Sequence, residues 1–139
     1  MEVRCITFIE AQPEIRAVRD AVFGGEQNVP ADINWDGKDE DCLHVVARME
    51  DSRVIGTGRL EEDGKIGRLA VLPEFRGEGI GRLLLVLLIE AALRKGLSHV
   101  YLHAQRHALP FYEGLGFEAS PGSFDEAGIE HRYMSRVLK

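Results

Sequence analysis

The segment with the clearest chemical capacity is RGEGIGR at residues 76–82, where glycines occupy alternate positions. Such glycines let successive backbone N–H groups point into one concavity, because no Cβ atom obstructs it. A helical apolar pattern follows directly, so the unpaired N–H groups of its first turn add partial positive charge. The flanking arginines can donate charge-assisted hydrogen bonds to phosphate oxygens. The segment predicts a pyrophosphate site formed by Arg76, Gly77, Glu78, Gly79, Ile80, Gly81 and Arg82.

Glycines in this spacing also occur in other phosphate-binding motifs and in plain helix caps. A dinucleotide-binding fingerprint requires G-x-G-x-x-G, and a P-loop requires Gly-Lys-Ser/Thr at the start of the helix. Residues 76–82 contain neither pattern. A plain helix cap and turn explains the glycines about as well when they are considered alone, so the rest of the sequence has to decide.

Tyr112 could act as a general acid. An unperturbed tyrosine has a pKa of about 10, so its hydroxyl is protonated at neutral pH and can give a proton to a leaving group. The plain alternative is a core aromatic residue beside Phe111 and Phe117.

Three residues are candidate general bases: Glu26, His103 and His131. Glu26 is also explained as a solvated loop acid, and His131 as an ordinary surface histidine. His103 shares a strand face with Gln105, opposite Leu102, and could reach a cleft beside that strand. The histidines and acids lack metal-ligand spacing, so we predict no metal site.

Short, mixed elements have to position these residues. Residues 3–9 alternate like a half-buried strand, and a helix with Pro13 in its first turn should end at Gly24-Gly25. Residues 43–48, 54–60 and 65–71 predict an antiparallel three-strand meander. The chain thus begins as a strand, a helix and a meander, separated by a long polar loop at residues 26–41.

The second half begins with a long helix from Ile80, capped at Lys95-Gly96. Residues 98–104 form a strand, and the crossover through the helix normally makes it a parallel neighbour of residues 65–71. A short helix at residues 109–115 follows. Residues 117–119 and 131–138 are predicted strands around a loop at 121–130. The acids of the two long loops favour a cationic acceptor, although solvated surface acids explain them equally well.

Two motifs in this order resemble the GNAT superfamily of N-acetyltransferases. The first is Arg76-x-x-Gly79-x-Gly81 after the strand at residues 69–73. The second is Gln105-x-x-Ala108-x-x-Phe111-Tyr112, continuing to Phe117. The motifs cover residues 54–117, and residues 22–30 and 126–131 resemble a subgroup of small bacterial acetyltransferases. The resemblance implies a mixed α+β fold: one central, mostly antiparallel sheet, with splayed parallel strands in its middle and helices on its faces.

The resemblance also implies residue roles. Acetyl-CoA is the co-substrate, its pantetheine arm lies along Leu69, Ala70 and Val71, and its pyrophosphate meets the amides of residues 76–81. Further contacts to the cofactor come from Gln105, Ala108, Phe111 and Tyr112, with the Tyr112 hydroxyl near the sulfur. The family commonly has Asn at position 105, so the longer Gln leaves its bond undefined. Homodimers occur in the family.

Composition limits the function further. The 139 residues predict a single domain spanning 1–139, and the net charge of −6 argues against nucleic-acid and membrane surfaces. The N-terminus lacks a secretory pattern, so we expect a cytoplasmic protein. The leading function is transfer of an acetyl group from acetyl-CoA to a primary amine, in a ternary complex. Glucosamine phosphate, a polyamine, an aminoglycoside or a protein amine would each fit. Two alternatives are a non-catalytic acyl-CoA sensor and a structural domain with fortuitous glycines.

Overall fold

The structure is a computed structural model that describes residues 1–138. The strands in this range are β1 (Glu2–Ile6), β2 (Leu43–Arg48), β3 (Val54–Leu60), β4 (Ile66–Val71), β5 (His99–Gln105), β6 (Glu118–Ala119), β7 (Phe124–Glu126) and β8 (Ile129–Val137). The α-helices are α1 (Phe8–Arg19), α2 (Ala31–Asn34), α3 (Ile80–Arg94) and α4 (Leu109–Glu113). None of the helices in the described range has the length and apolar character needed to cross a bilayer.

The strands form two antiparallel sheets that meet at one point. The first sheet has the order β1-β2-β3-β4, and in the second β8 pairs with β5, β6 and β7. A single parallel bridge joins Lys65 to Tyr101, where the Tyr101 N–H donates to the Gly64 carbonyl at 3.1 Å. Beyond this bridge, no ladder connects β4 to β5 in the described chain. The expected splay is confirmed, and the splay divides the expected single sheet into two.

Helices cover both faces of the first sheet. Leu84, Leu85 and Leu88 of α3 are fully buried and belong to the larger core, which also contains residues of both sheets. On the opposite face, α1 contributes a second cluster that includes Ile15 and packs on β2, β3 and β4. This packing holds the first sheet rigidly and leaves the opening beside β4 as the place where a ligand can enter.

The N-terminal elements differ from their prediction. The first strand ends at Ile6, because Thr7 caps α1: its hydroxyl accepts from the Glu10 N–H at 3.3 Å, and Glu10 accepts from the Thr7 N–H at 3.1 Å. Pro13 therefore lies inside the helix, after a kink at Ala11. The expected stop at Gly24-Gly25 is wrong, since the chain continues as a π-helical segment over Asp20–Glu26.

Both predicted long loops contain structure. Residues 26–41 include α2 and a 3₁₀ turn at Asp39–Asp41. Residues 121–130 include β7, which forms a hairpin with β8 through the two residues Ala127 and Gly128, both at positive φ. Two such residues form the tight turn that matches strand twist. The hairpin fixes the position of Glu126 at the end of β7, which matters for the site.

Candidate functional site

The splay between β4 and β5 opens a cavity of about 200 Å³. Its walls are β4 on one side and β5, β8 and the end of β7 on the other, and residues between Phe23 and Asn34 complete the lining. Residues singled out from the sequence that line it are Leu69, His103, Gln105, Ala108, Tyr112 and His131. The structure therefore brings together side chains from four separate parts of the chain.

The glycine-rich segment forms an exposed loop at the N-terminus of α3. Gly77 and Gly79 have φ values of 80° and 82°, which an L side chain rarely adopts. A Cβ atom at either position would meet nothing within 4 Å, so the space in front of the loop is open. The first bond of the helix runs from the Leu83 N–H to the Gly79 carbonyl at 3.1 Å.

The backbone amides of residues 77–82 have no hydrogen-bond partner within residues 1–138. Six consecutive free donors at the positive end of a 15-residue helix fit a pyrophosphate. Phe111 borders this loop, because its ring edge would lie 3.8 Å from a Cβ placed on Gly81. Arg82 is exposed in the first turn of α3.

Arg76 is engaged by a carboxylate. Its two terminal nitrogens donate to the two Glu26 oxygens at 2.7 Å each, and its Nε donates to the Val71 carbonyl at 2.9 Å. The hydrogen bonds from Arg76 and its charge outweigh the effect of burial and lower the pKa of Glu26. A carboxylate with a lowered pKa is a poor proton acceptor, so this arrangement argues against Glu26 as the general base.

A bulge bends β4 away from β5. Arg68 has a φ of 51°, and the pairing register of β4 against β3 shifts at this position. A bulge of this kind strengthens local twist and ends regular pairing on the outer side of the strand. Leu69, Ala70 and Val71 follow it, so their outward backbone groups face the opening without a strand partner in the described chain.

Tyr112 lies in α4 with its ring edge-on to both Phe111 and Phe117, at centroid distances of 5.1 and 5.9 Å. Burial raises the pKa of Tyr112 to about 12. Its hydroxyl makes no hydrogen bond within residues 1–138, and the residue lines the cavity. Tyr112 is thus part of the aromatic packing and also one of the residues that line the cleft, with a hydroxyl that is protonated at neutral pH.

His103 and His131 meet at a shared carboxylate that the sequence did not single out. His103 Nδ1 lies 2.9 Å from Glu126 Oε1, and His131 Nε2 lies 3.8 Å from Glu126 Oε2. His131 Nδ1 lies 2.8 Å from the Ile129 carbonyl, which is an acceptor only, so this nitrogen carries the proton. The Phe124 ring packs edge-on against His103 at 5.0 Å. The hairpin of β7 and β8 creates this cluster.

Glu26 and Gln27 together span the mouth of the cleft. Gln105 Nε2 donates to Gln27 Oε1 at 2.8 Å, while the neighbouring Glu26 holds Arg76. We call Glu26 and Gln27 the strap. The strap connects the phosphate loop on one side of the opening to the end of β5 on the other, and it leaves the Gln105 amide oxygen free to accept a further bond.

Two acids of the polar loop, Asp36 and Asp39, are paired with arginines. Arg19 donates to Asp39 at 2.6 Å, and Arg59 bonds both Asp39 at 3.0 Å and Asp36 at 2.6 Å. Arg68 adds bonds to the Ile33 and Asn34 carbonyls and to Asp36. The expectation that these loop acids attract a cationic acceptor is therefore wrong for Asp36 and Asp39. Sequence spacing carries no signal for this cluster, since its partners are far apart in the chain.

Within residues 1–138, no group of three or more His, Cys, Asp or Glu side chains is arranged to hold a metal ion. The two cysteines of the chain are both free.

Comparison with known proteins identifies the architecture. The family model described as an acetyltransferase (GNAT) domain matches residues 12–138. The uncharacterised N-acetyltransferase YjcF of Bacillus subtilis is 36% identical over 86% of this chain and 87% of its own length. The crystal structure of an acyl-CoA N-acyltransferase from Pseudomonas aeruginosa superposes with a TM-score of 0.85 at 28% identity, covering 98% of this chain and 99% of the other. Escherichia coli ElaA superposes with a TM-score of 0.87 at 29% identity, over 98% and 99% of the two chains.

Three observations agree on the family: the opened pair of strands, the free amides before α3 and the matched family model. The chain belongs to the GNAT family, and it is an acyltransferase that uses an acyl-CoA donor.

Proposed function

We propose that the protein transfers an acetyl group from acetyl-CoA to the primary amine of a small molecule, by direct attack within a ternary complex. The observation that carries this proposal is that one cavity holds both a protonated hydroxyl, from Tyr112, and a carboxylate-oriented imidazole, from His103. Acid and base are the two proton-transfer groups that aminolysis of a thioester requires.

The donor fits the open side of β4. The free amides of residues 77–82 would hold its pyrophosphate, with Arg76 and Arg82 beside them, and the outward backbone groups of Leu69 and Val71 would bond its amide-containing arm. Bound acyl-CoA would supply the acyl group as a thioester. The small side chain of Ala108, which follows β5, also lines the cavity.

His103 is the proposed general base. Glu126 accepts a hydrogen bond from His103 Nδ1, which leaves the Nε2 lone pair available to remove a proton from the amine. The carboxylate also stabilises the imidazolium that forms. His131 is the second candidate, because its Nδ1–H is bound to the Ile129 carbonyl, so that its neutral form carries the lone pair on Nε2.

Tyr112 is the proposed general acid. Its raised pKa keeps the hydroxyl protonated throughout the neutral and mildly basic range but also makes it a weaker acid, so its role depends on a hydrogen bond to the developing thiolate. Transfer of this proton to the departing thiolate would prevent reversal of the acyl transfer, and the tyrosinate would regain a proton from solvent. Burial of the ring fixes the hydroxyl in direction, which favours transfer over a fixed distance.

The test is release of free thiol from acetyl-CoA by the purified protein with a panel of amines. We expect acceptor-dependent release, and a fall in turnover of about 10²- to 10⁴-fold for His103→Gln and Tyr112→Phe. Tyr133→Phe, on the neighbouring strand, is the matched control and should retain activity. If Tyr112→Phe left turnover unchanged at every pH, Tyr112 would not be the acid. Tight binding of CoA without any acceptor-dependent release would instead support a non-catalytic acyl-CoA sensor.

A further inference from the structure

The cavity has walls of opposite charge. Lys65 and Arg68 lie on the β4 side, and Glu126 lies on the opposite side with the two histidines. Lys65 and Arg68 line the same cavity as Glu126, although both precede it by at least 58 positions in the sequence. An acceptor in this space therefore meets both a cationic and an anionic surface.

The charges on the two walls are close enough to influence each other. Burial raises the pKa of Glu126, but the hydrogen bond from His103 and the charges of His103, His131 and Lys65 outweigh burial and hold the pKa below its usual value. Burial lowers the pKa of Arg68, and the Glu126 charge acts against that decrease. Because Lys65, Arg68 and Glu126 line one cavity of about 200 Å³, a single small molecule within it can contact both walls.

Lys65 and Arg68 differ in how many hydrogen-bond donors they have free for a ligand. The Arg68 guanidinium is held by the Ile33 and Asn34 carbonyls and by Asp36, so it acts as a fixed charge with few free donors. The Lys65 ammonium makes no salt bridge in the part of the chain that the structure describes, residues 1–138. Lys65 can therefore donate its hydrogen bonds to a ligand.

The charge balance disfavours acceptors with several cationic groups. A polyamine would bring further positive charge against Lys65 and Arg68, with Glu126 as the compensating carboxylate in the cavity. Two acids of the neighbouring loop, Asp39 and Asp36, are already paired with arginines and do not add to this attraction. Like charges in a partly enclosed site repel strongly, because the effective dielectric constant is low.

Resting on the proposed function, we propose that the acceptor is a compact amine that also carries an anionic group, a carboxylate or a phosphate. The anionic group pairs with Lys65, and the amine is directed toward His103 and Glu126. The cavity of about 200 Å³ is smaller than a typical site for a drug-sized ligand, which agrees with a compact acceptor.

The experiment compares matched acceptors by thiol release. The pairs are β-alanine with β-alaninamide and O-phosphoethanolamine with ethanolamine, and spermidine represents polycations. We expect kcat/KM to be at least about tenfold higher for an anionic member than for its neutral partner, as for a charge-assisted hydrogen bond. The pair with the larger ratio distinguishes a carboxylate from a phosphate.

Variants of Lys65 test whether this residue binds the anionic group of the acceptor. Lys65→Met should remove the preference by raising KM for the anionic amine about tenfold or more, with the neutral amine unaffected, and Lys65→Arg should restore it. Lys95→Met, at the exposed end of α3, is the control and should change neither. Equal or better use of neutral amines or spermidine, or a preference that survives Lys65→Met, overturns the inference but leaves the proposed function intact. Absence of turnover with every amine, while CoA still binds by calorimetry, overturns both.

Discussion

Replacing Glu26 with Gln tests whether this residue competes with a bound phosphate for Arg76 or acts as the general base. Glu26 holds Arg76 through two bonds of 2.7 Å. A pyrophosphate bound at the neighbouring amides would compete with Glu26 for the same guanidinium, because phosphate oxygens are equally good bidentate acceptors. Glu26→Gln removes this competition, and we expect CoA to bind more tightly.

The expected gain in CoA affinity follows from the solvent exposure of the Glu26 and Arg76 side chains. Both side chains are 41% exposed, so solvent screens the pair and its contribution is limited to about 0.2–1 kcal/mol. Removing a cost of that size lowers the Kd for CoA by about 1.4- to 5-fold. Turnover should stay within about twofold of the wild type, since the lowered pKa of Glu26 makes it a poor base.

Calorimetric titration with CoA gives the affinity, and thiol release gives turnover. Glu74→Gln is the matched control: Glu74 acts on Arg76 through its charge alone, so its removal tests whether net charge explains the effect. Equal tightening by Glu74→Gln, or unchanged affinity for Glu26→Gln, would refute the competition. A fall in kcat of about 10²-fold or more with unchanged Kd would identify Glu26 as the base.

Three further predictions concern stability, measured by urea denaturation. Asp39→Asn should destabilise the fold by about 3 kcal/mol or more, because it leaves the buried Arg19 guanidinium without its carboxylate partner and removes one of the partners of Arg59, whereas the exposed Asp41→Asn should cost less than about 0.5 kcal/mol. Burial raises the pKa of Asp36, but the hydrogen bonds and charges of its arginine partners outweigh burial and depress this pKa. The contribution of Asp36 to the free energy of unfolding should therefore be complete above about pH 4 and be lost as the pH falls further. Unchanged stability between pH 5 and 3 would contradict this expectation. Gly64→Ala should cost about 1–3 kcal/mol, since its Cβ would lie 2.8 Å from a backbone oxygen of β5, and should cost more than Gly37→Ala, which has a similar φ and open space.

The phosphate loop and Tyr112 could be predicted because their signals are local and ordered. Positive φ at Gly77 and Gly79 follows from the glycines themselves, and the helical pattern after them marks the free amides. The order of the loop, Gln105 and Tyr112 along the chain indicates the family without any knowledge of distances. These features need no information about distant contacts.

The rest of the site depends on contacts between distant residues. Glu126 was missed because Ala127 adopts a positive φ, which alanine seldom does, and the tight turn beside Gly128 was therefore not recognised. The arginine cluster was missed because Arg19 and Asp39 are 20 positions apart and come together only when α1 packs on the sheet. The single domain and the homodimer remain predictions.

Titration of CoA into Gly79→Asp and Gly79→Asn tests most directly that the loop before α3 binds the donor. Asn and Asp adopt a positive φ more readily than other non-glycine residues, so the strain at the φ of 82° should be small and similar in the two variants. Asp alone places a negative charge beside the amides. We predict that Gly79→Asp weakens CoA binding at least about tenfold more than Gly79→Asn does. Equal affinity of the two variants for CoA would contradict a pyrophosphate site at this loop.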